Sequence, residues 1–353
     1  MKLLSTAERN IYALMLAFVV LVSVILVMPN FISPQRRALK EATQIEEQLE
    51  MLQIEEQLKE RFASEESIEN LREEKRVLTT ILAIGLLLGG LALFVGFILS
   101  IIFIISKLKG KEMLKPVRDL EPVRWGIPDI FKVAILFFTA FYLVNILELI
   151  CRTKTFSGNL LMIFNTSFLD ILVFCIIAYF VIIKYRQGWS ALGLSMKNWL
   201  RGVFLGITGY IAILPLFLLI VLLITRISGY FDYQPPVHPL VNIFFKEGNP
   251  FILGGVIVLA VLVAPVIEEI VFRGFIYSAV KKRAGITLAI IVTSALFSLL
   301  HMSIFSFLPI FFLGIALAYL YEKTGLLISS ITLHVIHNSI LISMLLLMRG
   351  IST

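Results

Sequence analysis

Long continuous runs of apolar residues alternate with short polar segments along most of the chain. A helix needs about 20 apolar residues to cross the hydrocarbon core of a membrane, and about nine runs have or approach that length. The predicted spans are 11–32, 78–105, 133–151, 160–183, 203–225, 252–280, 286–303, 307–321 and 326–348. The runs are continuous and do not alternate residue by residue, which favours helices over a β-barrel. The pattern predicts an all-α, polytopic transmembrane helix bundle of about eight or nine spans.

One long polar segment, residues 33–76, separates the first two runs. It is rich in Glu, Gln, Leu and Lys, which are good helix formers, and no Gly or Pro follows Pro34 within it. The segment therefore predicts an acidic helical arm outside the membrane. The arm either joins the two spans as a solvated helical hairpin, or it binds a protein partner or gates substrate access outside the membrane.

The second predicted span is followed by a basic loop, residues 107–129, which contains three prolines. We divide the chain at this loop. Residues 1–130 are predicted to form an N-terminal two-span module that includes the acidic arm and the loop. Residues 131–353 are predicted to form the main membrane bundle. The apolar run of the first span is longer than the core of a signal peptide, so we interpret it as an uncleaved anchor.

Composition supports the membrane interpretation, with 59% apolar and 16% charged residues. Soluble domains are about half apolar and about a quarter charged. The net charge of +7 is concentrated in short loops, as in the cytoplasmic loops of membrane proteins, so it predicts no nucleic-acid partner. The basic clusters are Lys107, Lys109, Lys111, Lys115, Arg118 and Arg124; Lys184, Arg186, Lys197 and Arg201; and Lys281, Lys282 and Arg283. With nine spans, the N-terminus is cytoplasmic, and the acidic arm and the C-terminus lie outside. A re-entrant pair among the short C-terminal runs would instead return the C-terminus to the cytoplasm.

Two adjacent carboxylates lie within the sixth predicted span. Ionisable residues are costly inside a membrane, and they mark either function or a buried pair. Arg273 follows Glu269 by four residues and shares its helix face, so these two are predicted to pair, which leaves Glu268 free for chemistry. Pro265 is expected to open the helical hydrogen-bond ladder just before them. The alternative is an ion pair that only fixes helix packing.

Three of the four histidines lie in the last 53 residues, within or at the ends of apolar runs. His301 follows Phe297 by four residues, and Asn338 follows His334 by four, so each pair shares a helix face. His337 either faces the same site or packs against a neighbouring helix. Facing helices of a bundle assemble polar sites in this way, so we predict that these residues meet the carboxylates.

Such a set of groups suits hydrolysis. A carboxylate in a low-dielectric site is a general base for water, and histidine and asparagine side chains donate hydrogen bonds to an oxyanion. The same groups include a candidate zinc set, Glu268, His301 and His334, with one open position. No HExxH motif is present, which excludes a zinc site of that type on one helix. The cofactor is thus either Zn²⁺ or none.

Three motifs in order resemble the CAAX-protease and bacteriocin-processing (CPBP) family, which includes the type II CAAX prenyl endopeptidases. The family pattern is EExxxR, FxxxH and HxxxN on successive membrane helices, and here it is carried by 268–273, 297–301 and 334–338. The resemblance covers roughly residues 185–348. It implies that Glu268 activates water with help from His301 and that His334 and Asn338 form the oxyanion hole. Glu269, Arg273 and Phe297 would support the site.

The resulting functional prediction is an intramembrane endopeptidase. Its substrate would be a membrane-bound, prenylated or leader peptide, and its other partner is membrane lipid. The resemblance favours the inner membrane of a prokaryotic cell. The alternatives are a non-catalytic membrane scaffold or immunity-type protein, and a transporter that uses the intramembrane charges.

Overall fold

The structure is a computed structural model that describes residues 6–32, 49, 76–111, 114, 116–150, 158–231 and 239–352. The described residues form helices, turns and short loops, and no strand occurs among them, which confirms the all-α class. The helices are α1 (Thr6–Ile32), α2 (Arg76–Leu108), α3 (Ile127–Ile150), α4 (Gly158–Ala178), α5 (Trp199–Tyr230), α6 (Pro239–Lys246), α7 (Pro250–Val258), α8 (Ala264–Glu269), α9 (Ser278–Leu299), α10 (Ile304–Thr324) and α11 (Leu327–Ser352). π-Helical turns continue α4 (Tyr179–Lys184), join α7 to α8 (Leu259–Val263) and join α8 to α9 (Ile270–Tyr277). Apart from Leu49 and Arg76, the predicted acidic arm lies outside the described residues.

Seven of the described helical stretches are long and apolar enough to cross a membrane. The protein is therefore an integral, multi-pass membrane protein. The longest stretch, Pro250–Leu299, contains two of the predicted spans. These are separated at Gly285, whose φ of 80° is a left-handed conformation that glycine adopts readily. The apolar stretch Asn10–Ser23 of α1 is shorter. With α1 and the two halves of the longest stretch counted separately, the helices correspond to the nine predicted runs.

Loops from the three predicted basic clusters meet at one end of the bundle, which we call the basic end. The backbone N–H of Arg118 donates to Thr324 O, Arg124 donates to Tyr185 O, and Lys282 Nζ donates to Val123 O. The proximity of these loops agrees with their predicted placement on one side of the membrane. Which side that is remains a prediction.

At the basic end, an ionic group joins the start of α3 to the π-helical turn that continues α4. Asp129 accepts hydrogen bonds from Lys184 Nζ at 2.7 Å and from the Tyr185 hydroxyl at 2.5 Å. Burial and the hydrogen bond to Asp129 raise the pKa of Tyr185 above its usual value. The Tyr185 hydroxyl therefore stays protonated and continues to donate to Asp129.

The last helix runs from the basic end to the opposite end. Leu327 N–H donates to Gly193 O at the basic end, whereas Arg349 donates to Phe244 O in α6 and to Glu247 O just after it. α10 is a helix of 21 residues, although its sequence run was the shortest predicted. The Ser303 side chain caps its first turn, and Gly325 ends it in a left-handed conformation. This geometry agrees with α10 and α11 as separate crossings, and the total number of crossings stays a prediction.

The basic loop and α2 pack directly against the main bundle. Trp125 is fully buried, stacks on Phe275 at 5.3 Å, and donates from Nε1 to Phe275 O. On α2, Ser100 donates to Ala212 O of α5. Contacts therefore cross the proposed boundary near residue 130, and the division into two modules remains a prediction about chain organisation.

Gly206→Ala is expected to destabilise the protein because α5 and α11 approach closely at this residue. An added Cβ would lie 2.5 Å from Thr332 Cβ and 2.6 Å from Ser329 O, so the helices would have to separate. Overpacking of this kind costs about 1–3 kcal/mol, and thermal unfolding in detergent would measure it. Gly89→Ala is the control, because nothing lies within 4 Å of its added Cβ. Equal unfolding temperatures for the two variants would contradict this packing.

Candidate active site

The helix that carries Glu268 and Glu269 is widened on both sides of them. A π-helical turn, Leu259–Val263, precedes α8, and another, Ile270–Tyr277, follows it. Pro265 lacks an N–H, as expected for a residue that opens the ladder, and Ala264 N–H bonds to Leu259 O, five residues back. π-Helical turns inside α-helices occur frequently at functional sites.

Asn338 satisfies a carbonyl that the widened turn leaves open. In the π-helical register the partner of Ala260 O would be the N–H of residue 265, which proline lacks. Asn338 Nδ2 donates to this oxygen at 2.9 Å. The contact holds α11 against the helix of Glu268. It uses one of the two amide hydrogens of Asn338 and leaves the other for a second acceptor.

Asn338→Leu is expected to cost about 1–3 kcal/mol of stability because it leaves the half-buried Ala260 O without its side-chain donor. In a Pro265→Ala background the helix regains an N–H for its own ladder, so the same substitution should cost less. Thermal unfolding of the two single variants, the double variant and the unsubstituted protein measures this coupling. Strictly additive effects would contradict the link between Pro265 and Asn338.

A buried group of charged and aromatic residues lies beneath Glu268. Glu269 is fully buried and accepts hydrogen bonds on Oε1 from Arg273 Nη1 at 2.7 Å and from His334 Nδ1 at 3.0 Å. Arg273 is 1% exposed, lies 4.5 Å from the centre of the Phe297 ring, and donates to Gly314 O. The predicted pairing of Glu269 with Arg273 is therefore present. Glu269 also binds one ring nitrogen of His334.

His334 connects this buried group to Glu268. Its Nε2 lies 3.6 Å from Glu268 Oε2, which is too long for a direct hydrogen bond but short enough for both atoms to contact one water molecule. Because Nδ1–H donates to Glu269, neutral His334 has its lone pair on Nε2, facing Glu268. The Glu268 side chain is 33% exposed, in contrast to the buried Glu269, so it is accessible to water and substrate.

The other two C-terminal histidines make different contacts. His301 is exposed, its Nδ1 donates to Phe297 O at 2.8 Å, and its ring lies against the Phe297 ring. The Phe297 ring also lies 5.7 Å from the His334 ring, measured between ring centroids. His337 is buried against Phe217 and Tyr210 of α5. It therefore packs against a neighbouring helix, which was one of its two predicted positions.

The structure adds a carboxylate that the sequence interpretation missed. Asp170 on α4 lies close enough to Glu268 for the two carboxylates to interact electrostatically, and its Oδ2 is buried without a hydrogen-bond partner among the described residues. Asp170 is a single acidic residue between Leu169 and Ile171 in an apolar span. An intramembrane carboxylate is costly, so this signal was available in the sequence.

The candidate zinc ligands do not form a three-ligand set in this arrangement. Among the described residues, no group of three or more His, Cys, Asp or Glu side chains is placed to hold a metal ion. Of Glu268, His301 and His334, the first and third face each other, whereas His301 is bonded to its own helix. The residues present do not fit zinc, so no step below is derived through a metal.

Comparison with known families extends the motif argument. Residues 250–340 match the family model described as type II CAAX prenyl endopeptidase Rce1-like. This range contains all three motifs. The searches of curated proteins and of solved structures gave no match. The match agrees with the family predicted from the motifs, and it covers residues 250–340, about a quarter of the chain.

Proposed function

We propose that this protein is an endopeptidase that hydrolyses a peptide bond with a water molecule held between Glu268 and His334. The observation that carries the proposal is the 3.6 Å separation of Glu268 Oε2 and His334 Nε2, together with the hydrogen bond that fixes the other ring nitrogen on Glu269. A water molecule there can donate one hydrogen to each group. Its lone pair is then left for a carbonyl carbon.

In this reaction Glu268 takes a proton from the water as the water oxygen bonds to the carbonyl carbon. The carbonyl becomes a tetrahedral oxyanion. When it collapses, the C–N bond breaks, and the proton on Glu268 passes to the leaving nitrogen. Glu268 is thus first a base and then an acid, and the site returns to its starting state.

The surrounding side chains then have distinct roles. The second amide hydrogen of Asn338 is available to the oxyanion, a contribution of about 3 kcal/mol per donor. In the proposed reaction the exposed His301 ring would contact substrate. The family resemblance assigned His301 as the helper of Glu268 and His334 to the oxyanion hole. The contacts of His334 instead support His334 as the residue that helps Glu268 to hold the water.

The substrate that suits this position is a membrane-associated or lipidated peptide. Glu268 lies within the longest apolar helical stretch, Pro250–Leu299, so a peptide must reach it at or within the membrane. The reaction thus has a lipid environment and a peptide substrate. The prenylated C-terminus and the leader peptide are the two forms of substrate proposed here.

Mass spectrometry of membrane-protein termini in cells tests the proposal. Cells with the unsubstituted protein should contain peptide ends that are absent from cells with Glu268→Gln, and those ends would identify the substrate. Unchanged termini, with the variant folded and inserted, would contradict proteolysis and favour a scaffold. Immunoblotting and detergent size-exclusion chromatography provide the folding control.

A further inference from the structure

Helix α2 has no role in the proposed reaction, yet it packs against a proline inside α5. Pro215 lacks an N–H, so the helical hydrogen bond to Ile211 O cannot form, and a proline at such a position bends a helix. The stretches of α2 and α5, Thr80–Leu108 and Trp199–Tyr230, are both long and apolar enough to span the membrane. The freed carbonyl of α5 therefore needs a partner on a neighbouring helix, since the surrounding lipid offers none.

α2 provides groups for the carbonyls at this bend. Ser100 Oγ donates to Ala212 O, three residues before Pro215, at 2.5 Å. An added Cβ on Gly96 would lie 2.2 Å from Ile211 O and 3.0 Å from Pro215 Cδ, so glycine brings the α2 backbone closer than any other residue can. One Cα hydrogen of Gly96 then points towards Ile211 O, which gives a weak hydrogen bond. The bend of α5 is therefore held by α2.

The same part of α5 also holds α11. Tyr210 and Phe217 lie on either side of the bend, and their ring centroids are 6.0 Å and 4.9 Å from that of His337. His337 is buried, His334 lies three residues before it on α11, and Asn338 follows it directly. Close-packed side chains transmit small displacements, so a change in the bend of α5 would turn α11 and move both His334 and Asn338.

We propose that Ser100 is a positioning residue for the proposed hydrolysis. Its hydrogen bond fixes the bend of α5, and α5 fixes the rotation of α11 that sets His334 Nε2 3.6 Å from Glu268 Oε2. Ser100 acts through α5 and does not itself join the reaction. The expected effect on the rate rests on the proposed function, whereas the link from α2 to α11 is a property of the fold. α2 thereby supports the site, although the family match begins only at residue 250.

NMR signals of the histidine rings report this link without a substrate. The chain has four histidines, so full-length protein with ¹³C-labelled histidine in detergent gives few ring signals, and His337→Phe identifies the signal of His337. The neighbouring Phe217 and Tyr210 rings influence the chemical shift of that signal through their ring currents. Ser100→Ala should move the His337 signal, and Ser100→Thr, which keeps the hydroxyl, should leave it near its original position. Thr80→Val is the control, since Thr80 donates within α2 itself, and it should not move the signal.

Rates of peptide hydrolysis test the consequence for the site. With a peptide that the unsubstituted protein cleaves, Ser100→Ala should lower kcat about tenfold to a hundredfold and change KM little, because a small misplacement of the reacting groups slows the reaction. Ser100→Thr should recover most of the rate, and Thr80→Val should keep it. Loss of folded protein with an unchanged kcat per folded molecule would mean that Ser100 has only a structural role, which contradicts the proposal.

Two further results would overturn the proposal. An unchanged His337 signal in Ser100→Ala would show that α2 does not set the position of α11, even where hydrolysis occurs as proposed. Equal displacement of the signal by Ser100→Ala and Thr80→Val would mean that loss of any hydroxyl on α2 loosens the bundle. If Ser100→Ala does not fold, Ser100→Cys keeps a weaker donor and should move the signal in part, and no movement would again contradict the proposal. No hydrolysis by the unsubstituted protein would instead contradict the proposed function, and the His337 signal would still decide whether Ser100 holds α11.

Discussion

Glu268→Gln is expected to lower the rate of peptide hydrolysis about a thousandfold while the protein remains folded. General base catalysis contributes about 10²–10⁴-fold, and glutamine has nearly the same shape but accepts no proton from water. Glu268 is 33% exposed and forms no buried ion pair with Arg273, so its charge is not needed for packing. Cleavage by protein reconstituted in liposomes, under single-turnover conditions, measures the effect.

Glu148→Gln is the matched control for this experiment. Glu148 is also a glutamate on a membrane helix, but it is exposed on α3 and accepts a hydrogen bond from Asn165. A glutamine preserves that acceptor, so both the rate and the unfolding temperature should be unchanged. Comparable cleavage rates for Glu268→Gln and Glu148→Gln would show that Glu268 is not the general base.

Arg273→Met is expected to destabilise the protein by about 3–5 kcal/mol. The substitution leaves Glu269 fully buried without its cation, and removing one partner of a buried pair leaves an uncompensated charge. It also removes the guanidinium from the face of the Phe297 ring. The expected result is a much lower unfolding temperature in detergent and less inserted protein.

The double variant Glu269→Gln/Arg273→Met separates the buried charge from the loss of packing. It leaves no buried carboxylate at this position, and glutamine still accepts a hydrogen bond from His334 Nδ1, so much of the stability should return. Activity should stay low because the ring of His334 is held less firmly. Arg283→Met, at an exposed position, is the control and should change stability little. A wild-type unfolding temperature for Arg273→Met would contradict the structural role of the pair.

The fold class and the motif positions were predictable because they depend on local patterns. Apolar runs of spanning length predict helices directly, and the four-residue spacing predicts the Glu269–Arg273 pair that the structure contains. The break at Gly285 also matches a gap between two predicted runs. None of these features requires knowledge of how the helices pack against one another.

The contacts between helices could not be predicted from the sequence. Spacing places His334 and Asn338 on one face of α11, but it does not give the partners of that face, which are Glu268, Glu269 and Ala260. The direction in which His337 points depends on the rotation of α11 about its axis, so the sequence did not predict that it faces α5. Asp170 differs from these cases, because its isolation in an apolar run is visible in the sequence alone.

Hydrolysis in ¹⁸O-labelled water tests the central claim most directly. Purified protein in liposomes would be mixed with the peptide identified in cells, and the new C-terminal carboxylates would be examined by mass spectrometry. The proposed mechanism predicts ¹⁸O in the new carboxylates with the unsubstituted protein, and formation of labelled product about a thousandfold more slowly with Glu268→Gln. Labelled product at an undiminished rate from Glu268→Gln would contradict it.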